Sequence, residues 1–143
     1  MSDTISLLRE CDAGIKMAVE SIDEVAEKVK DTELLKILQK SKEEHQKLGN
    51  EVEDQIKMYG AQEKEPNIMA RGMSWMKTNV KMGMDDNTSK VAADLITDGC
   101  DMGTKSLYQY LNQYDKADEK AKSLCKKLIA EEENLCKQLR KYL

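Results

Sequence analysis

Apolar residues recur at spacings of three, four and seven through four long segments of this chain. That periodicity leaves little room for anything but amphipathic helices packed side by side. The first segment carries Ile5, Leu8, Ile15, Val19, Ile22 and Val29 on one stripe, and the second carries Leu34, Leu38, His45, Leu48, Val52 and Ile56. The third carries Val91, Leu95, Cys100, Leu107, Leu111 and Tyr114, and the fourth Ala121, Leu124, Leu128, Leu135, Leu139 and Tyr142. Between these positions Lys, Glu, Ala and Gln dominate, residues that lose little on entering a helix. The chain has 1 Pro and no Phe, and no strand-like alternation of Val, Ile and Thr, so no sheet is expected. Its 143 residues are enough to bury one core.

Local punctuation sets the expected helix ends. Ser2 and Asp3 offer a cap for a first helix that stops near Lys30. Asp31 caps a second helix, from about Thr32 to Tyr59, with Glu33 in its first turn complementing the dipole and Gly60 ending it. The turn between them is so short that the two must be antiparallel neighbours. Asp85-Asp86-Asn87-Thr88 supplies caps for the third helix, and Asp115 or Asp118 for the fourth. The link from Tyr59 to Thr88 is different, for it uses nearly thirty residues where two would do. Residues 61–67 break the pattern, and a shorter helix is expected over Ile68 to Met82, closed by Gly83. A link of that length can climb the full height of the bundle, so the third helix is expected to run parallel to the second. The expected organisation is one domain over 1–143: a hairpin over 3–60, a crossover over 61–87 and a second hairpin over 88–143.

Charge and hydropathy exclude several functions. Basic and acidic residues number 23 and 27, a net −4 with the signs well mixed, so the dense basic face of a nucleic-acid binder is missing. No apolar run approaches the ~20 residues that span a bilayer. The opening Met1-Ser2-Asp3-Thr4 has neither the basic start nor the apolar stretch of a secretory signal, which predicts a cytoplasmic protein. The four cysteines, Cys11, Cys100, Cys125 and Cys136, form no CxxC pair. Cys125 and Cys136 would be about 16 Å apart along one helix, too far for a disulfide. They read as small, reduced, half-buried apolar residues.

The two halves repeat each other. Cys11-Asp12-Ala13-Gly14-Ile15-Lys16 is matched by Cys100-Asp101-Met102-Gly103-Thr104-Lys105, an offset of 89 residues. Downstream, Lys42-Glu43-Glu44-His45 is echoed by Ala130-Glu131-Glu132-Glu133. With these glycine-marked repeats, the stretch Arg71-Gly72-Met73-Ser74-Trp75-Met76-Lys77 and the Asp85-Asp86 pair, the chain resembles ferritin-like proteins over almost its whole length. It is most similar to a group of bacterial four-helix bundles among them that carries no assigned activity. The resemblance implies an all-α, ferritin-like antiparallel four-helix bundle, built of two repeated helical hairpins joined by a long crossover containing a short helix. It implies no reaction.

The chemistry that such a fold invites is a di-iron centre, which needs a Glu on each of two helices and Glu-x-x-His motifs on the others. This chain has 1 His. The residue three before His45 is Lys42, and the residue three after Glu132 is Leu135. After the repeated glycines stand Ile15 and Thr104, neither a carboxylate. No metal or other cofactor is therefore expected. A smaller site for iron or another divalent metal would draw on Asp12, His45, Asp101 and Glu132, one from each helix, although Asp12 and His45 are expected about 6 Å apart in level. The plainer reading makes Asp12–Lys16 and Asp101–Lys105 structural ion pairs four residues apart, and His45 a satisfied inward-facing ring. Gly14, Gly49 and Gly103 read as points of close helix approach. Met69, Met73 and Met76, beside Trp75, form a stripe suited to a docking face. Three functions follow in order: a non-enzymatic bundle acting by self-association or on another protein; a metal-binding or redox protein using an atypical carboxylate and His45 site; and a small-ligand binder using the space where iron would sit.

Overall fold

The structure is a computed structural model and describes residues 2–61 and 88–143. Within them the chain is all-helical, with four helices: α1 (Asp3–Ala26), α2 (Thr32–Met58), α3 (Thr88–Gln113) and α4 (Glu119–Leu139), followed by a 3₁₀ turn at Arg140–Tyr142. The expected short helix over 68–82, all of the 61–87 crossover but Ala61, and the stripe of Met69, Met73, Trp75 and Met76 lie outside the described residues. No described helix is long and apolar enough to cross a membrane.

Each cap forms where a short polar side chain precedes an apolar run. Ser2, Asp31 and Asp118 take extended backbone and accept hydrogen bonds from the N–H groups of Ile5, Leu34 and Ala121, at 3.3, 2.9 and 2.8 Å. Of the two aspartates offered for the fourth helix, Asp118 is the one used. At the end of α2, Gly60 turns to a φ of 67°, and the N–H groups of Gly60 and Ala61 close on the carbonyls of Lys57 and Ile56 at 2.9 and 3.1 Å. α1 stops at Ala26, one turn short of the expected Lys30, and the remaining residues reach Asp31 as a turn.

Contacts fix the senses of the helices. Lys42 pairs with Asp23 at 2.7 Å, and Ile15 packs on Gly49, so α1 and α2 run in opposite directions. Glu33 meets Lys141, Ser41 meets Glu131 and Tyr59 meets Asp118, so α2 and α4 also oppose each other. The start of α1 is tied to the turn before α4. Asp3 accepts from the Lys116 N–H at 3.0 Å and Thr4 accepts from the Asp118 N–H at 2.8 Å.

The apolar interior falls into two clusters. One gathers Leu7, Leu8, Cys11, Ile15, Val52, Ile56, Leu124 and Leu128; the other gathers Ile22, Val25, Leu34, Leu38, Leu95, Ile96, Leu135 and Leu139. His45 in α2 and Glu132 in α4 fall between them in sequence on both helices. That polar layer interrupts the apolar interior.

Candidate functional site

His45 and Glu132 are polar residues set in apolar stripes, each at the phase of the leucines around it. Leu38, His45 and Val52 share the inner face of α2, and Leu128, Glu132 and Leu135 that of α4. Helical phase therefore drives both rings of polar atoms into the core, where His45 is 0% and Glu132 6% exposed. Burying such groups is tolerated only when they are paired.

The pairing is partial. His45 Nδ1 lies 2.8 Å from the Ser41 carbonyl oxygen. A carbonyl can only accept, so Nδ1 carries the proton and donates it there, one turn back along α2. Nε2 then faces Glu132 Oε1 at 3.8 Å, an electrostatic contact longer than a hydrogen bond. Both Nε2 and Glu132 Oε2 are buried without a hydrogen-bond partner. Ser41 Oγ donates to Glu131 Oε2 at 2.8 Å, which holds the neighbouring carboxylate at the rim of the layer. Burial pulls the His45 pKa down, but the Glu132 carboxylate, the Ser41 carbonyl and the Glu131 charge together lift it above its ordinary value. Burial raises Glu132 above the usual carboxylate range, against the opposing pull of His45.

Above this pair opens a groove of about 490 Å³ between α1 and α3. Its volume lies in the range of small-molecule sites. The cause is visible in the facing residues. Gly14, Ala18 and Ser21 line it from α1, and Gly99, Gly103 and Ser106 from α3, each set spaced four and three apart. Two stripes of small side chains face each other without closing, and a Cβ placed on Gly14 would meet nothing within 4 Å. Apolar walls come from Met17, Ile22, Leu95 and Ile96, while His45, Glu132 and Leu135 reach the groove from α2 and α4.

Gly103 has a separate job. A Cβ built on it would come within 3.1 Å of the Glu132 carboxyl carbon and nearer still to Oε2. The missing side chain is the space that the carboxylate occupies. Of the three helical glycines expected to allow close helix approach, only Gly49 does so, with the Ile15 methyl 3.2 Å from where its Cβ would be. Gly14 opens a groove and Gly103 houses a carboxylate.

The four candidate ligands do not converge. His45 and Glu132 meet, and Asp101 stands at the groove's mouth, but Asp12 lies on the other side of α1. There it is 1% exposed, pairs with Lys16 Nζ at 3.0 Å, and shares a depression with Gly49 and Glu53 of α2. The Asp12–Lys16 pair thus forms as expected. The Asp101–Lys105 pair does not: Asp101 is exposed and its Oδ1 accepts from the Cys136 thiol at 3.9 Å. The two repeated aspartates thus sit in different surroundings, one buried and one exposed. Among the described residues no three His, Cys, Asp or Glu side chains gather as a metal-binding group.

All four cysteines are free; Cys11, Cys100 and Cys125 are buried and Cys136 partly so. Cys100 lies against the groove, and burial pushes its thiol far up, away from thiolate reactivity. Sequence reasoning named His45 and Glu132 but missed the groove above them, whose signal is the pair of small-residue stripes. Comparison with protein families, with characterised proteins and with solved structures finds no match to this chain.

Proposed function

We propose that this chain is a non-enzymatic, small-ligand-binding bundle of ferritin-like topology, with its site in the α1–α3 groove over His45 and Glu132. The observation that carries this reading is a pair of buried polar atoms without partners, His45 Nε2 and Glu132 Oε2, on residues that line a 490 Å³ groove with apolar walls. Unsatisfied buried polar groups cost about 1–3 kcal/mol each, and a bound molecule that hydrogen-bonds to them recovers that cost. An apolar body with one polar group matches the walls and the floor. The topology is supported by the repeat and by the sense of the helices: α2 opposes α4, and the contacts of Asp101 with Cys136 and of Leu107 with Cys125 set α3 against α4 as well, which suits two hairpins over 3–60 and 88–143 joined by a crossover over 61–87. Catalysis has little to work with, since the single imidazole has committed Nδ1 to Ser41 and the groove's thiol is held protonated.

The test uses the protein's one histidine as a reporter. Small amphipathic molecules screened by NMR should move the His45 ring signals and raise the melting temperature. Gly14→Leu should fill the groove, since position 14 opens onto empty space, and should abolish both effects while leaving the fold intact. Ligands that bind the variant as well as the parent would refute the assignment.

A second reading is self-association, favoured by the exposure of Met102 (62%) and Tyr108 (52%) on α3. A molar mass by light scattering that stays monomeric at every concentration would dismiss it.

A further inference from the structure

Among the described residues, the charge in the groove's lining is dominated by acidic side chains. Among the described residues around it, Glu10, Asp94, Asp98, Asp101 and Glu132 are acidic, His45 is the only base, and none is lysine or arginine. Asp94, Asp98 and Asp101 are spaced four and three apart, which sets them in one strip along the α3 edge of the mouth. Their crowding is felt. Partial burial and the neighbouring charges of Asp94 and Asp101 both raise the Asp98 pKa. The floor adds an independent sign, the buried Glu132 side chain, whose Oε2 lacks a hydrogen-bond donor. A cleft of one sign with low-dielectric walls concentrates the opposite charge.

Resting on the ligand-binding reading above, we propose that the groove selects a small organic ammonium, its apolar body lying between Met17, Ile22, Leu95 and Ile96 and its nitrogen donating to Glu132 on the side of the Asp94–Asp98–Asp101 strip. The apolar walls separate this ligand from a bare inorganic cation, for which no three donors converge among the described residues. The carboxylates separate it from an organic anion, which they repel. An alcohol of the same shape keeps the apolar contacts and one hydrogen bond but forgoes the charge.

Three molecules with one skeleton make the comparison: 4-phenylbutylamine, 4-phenylbutan-1-ol and 4-phenylbutyrate, titrated calorimetrically into the full chain while the His45 signals are followed. The amine should bind about tenfold or more tightly than the alcohol at low salt, as a charged hydrogen bond implies. The advantage should shrink in about 0.5 M salt, where exposed charges are screened, and the acid should not bind. Asp94→Asn combined with Asp98→Asn alters exposed positions and should lower the amine's affinity while leaving the alcohol's unchanged. Equal binding of amine and alcohol, binding of the acid, or indifference to the double substitution would overturn the ammonium assignment and leave the ligand-binding reading standing. If none of the three binds or moves the His45 signals, both fall.

Discussion

Replacing Gly103 by alanine puts a methyl group into the space that the Glu132 carboxylate fills. Two effects oppose each other. Alanine is favoured over glycine in a helix interior by up to about 1 kcal/mol. Against that, the new Cβ would approach the Glu132 carboxyl carbon to 3.1 Å and its Oε1 to 3.2 Å, with Oε2 nearer still. The side chain must swing away, and leaving its preferred rotamer costs about 0.5–1.5 kcal/mol. The two nearly cancel, so Gly103→Ala should change stability little. Gly14→Ala is the control, because its Cβ meets nothing within 4 Å and gains the helix term alone. In urea unfolding the two variants should differ by about 1 kcal/mol, or roughly 3 °C in melting temperature for a chain of this size. In a Glu132→Ala background the obstacle is gone and the difference should vanish. The His45 ring supplies a second readout. Moving the carboxylate away removes part of what lifts its pKa and leaves burial to pull it down, so the NMR titration should shift to lower pH. If Gly103→Ala stabilises as much as Gly14→Ala, or if the difference survives without Glu132, the glycine does not house the carboxylate and the description of the floor is wrong.

The folded pKa values of His45 and Glu132 are both raised, so the native state holds these protons more tightly than the unfolded chain. Their stabilising effect is therefore complete at acidic pH and declines as pH rises, the histidine's part being lost from about pH 6.5 upward through its folded value; urea midpoints should fall across this range, and His45→Gln should flatten the upper part. Lys16→Met leaves the buried Asp12 carboxylate without its 3.0 Å partner and should cost roughly 1.5–3 kcal/mol in the same assay, with much of the loss recovered by adding Asp12→Asn. Asp118→Ala removes the cap of α4 and the partner of the Tyr59 hydroxyl, at a cost of about 0.5–2 kcal/mol in thermal unfolding, whereas Asp118→Asn should retain most of the cap.

Much of the helical framework is legible in the sequence because it depends on local chemistry. Ser2, Asp31 and Asp118 cap because short acceptors precede apolar runs, and Gly60 ends α2 because it alone tolerates a left-handed φ there. The inner stripes of α2 and α4 follow from period alone. α1 is less well read: Ile5 and Val19 are only half-buried, while Leu7, Cys11 and Val25 are fully buried. This helix packs against all three others, so its buried face is wider than a single stripe. The groove was hidden for a different reason. Small residues at spacings of four and three predict close approach as readily as a gap, and which occurs depends on bulkier contacts elsewhere that set the distance between α1 and α3. Asp101 was misplaced because a repeated sequence suggests a repeated environment, whereas Asp12 is buried beside Lys16 and Asp101 is exposed.

That same divergence between the hairpins accounts for the centre of the molecule. A strict repeat would confront His45 with another histidine, or Glu132 with another glutamate, in the space between the two apolar clusters. Two like charges so deeply buried cannot both ionise, and each would need a proton or a metal to be tolerated. One histidine facing one glutamate instead offers groups of opposite charge type, and each lifts or lowers the other's pKa accordingly. The 3.8 Å gap between Nε2 and Oε1 is too long for them to satisfy each other, and a polar group entering from the groove can. On the ligand-binding reading proposed above, this asymmetry between the repeats is what would suit the position to an organic guest. It follows that His45→Glu, which restores like facing like, should destabilise the chain near neutral pH and far less under acid, where both carboxyls are protonated. A variant equally stable at both would show that the pair does not share a buried environment.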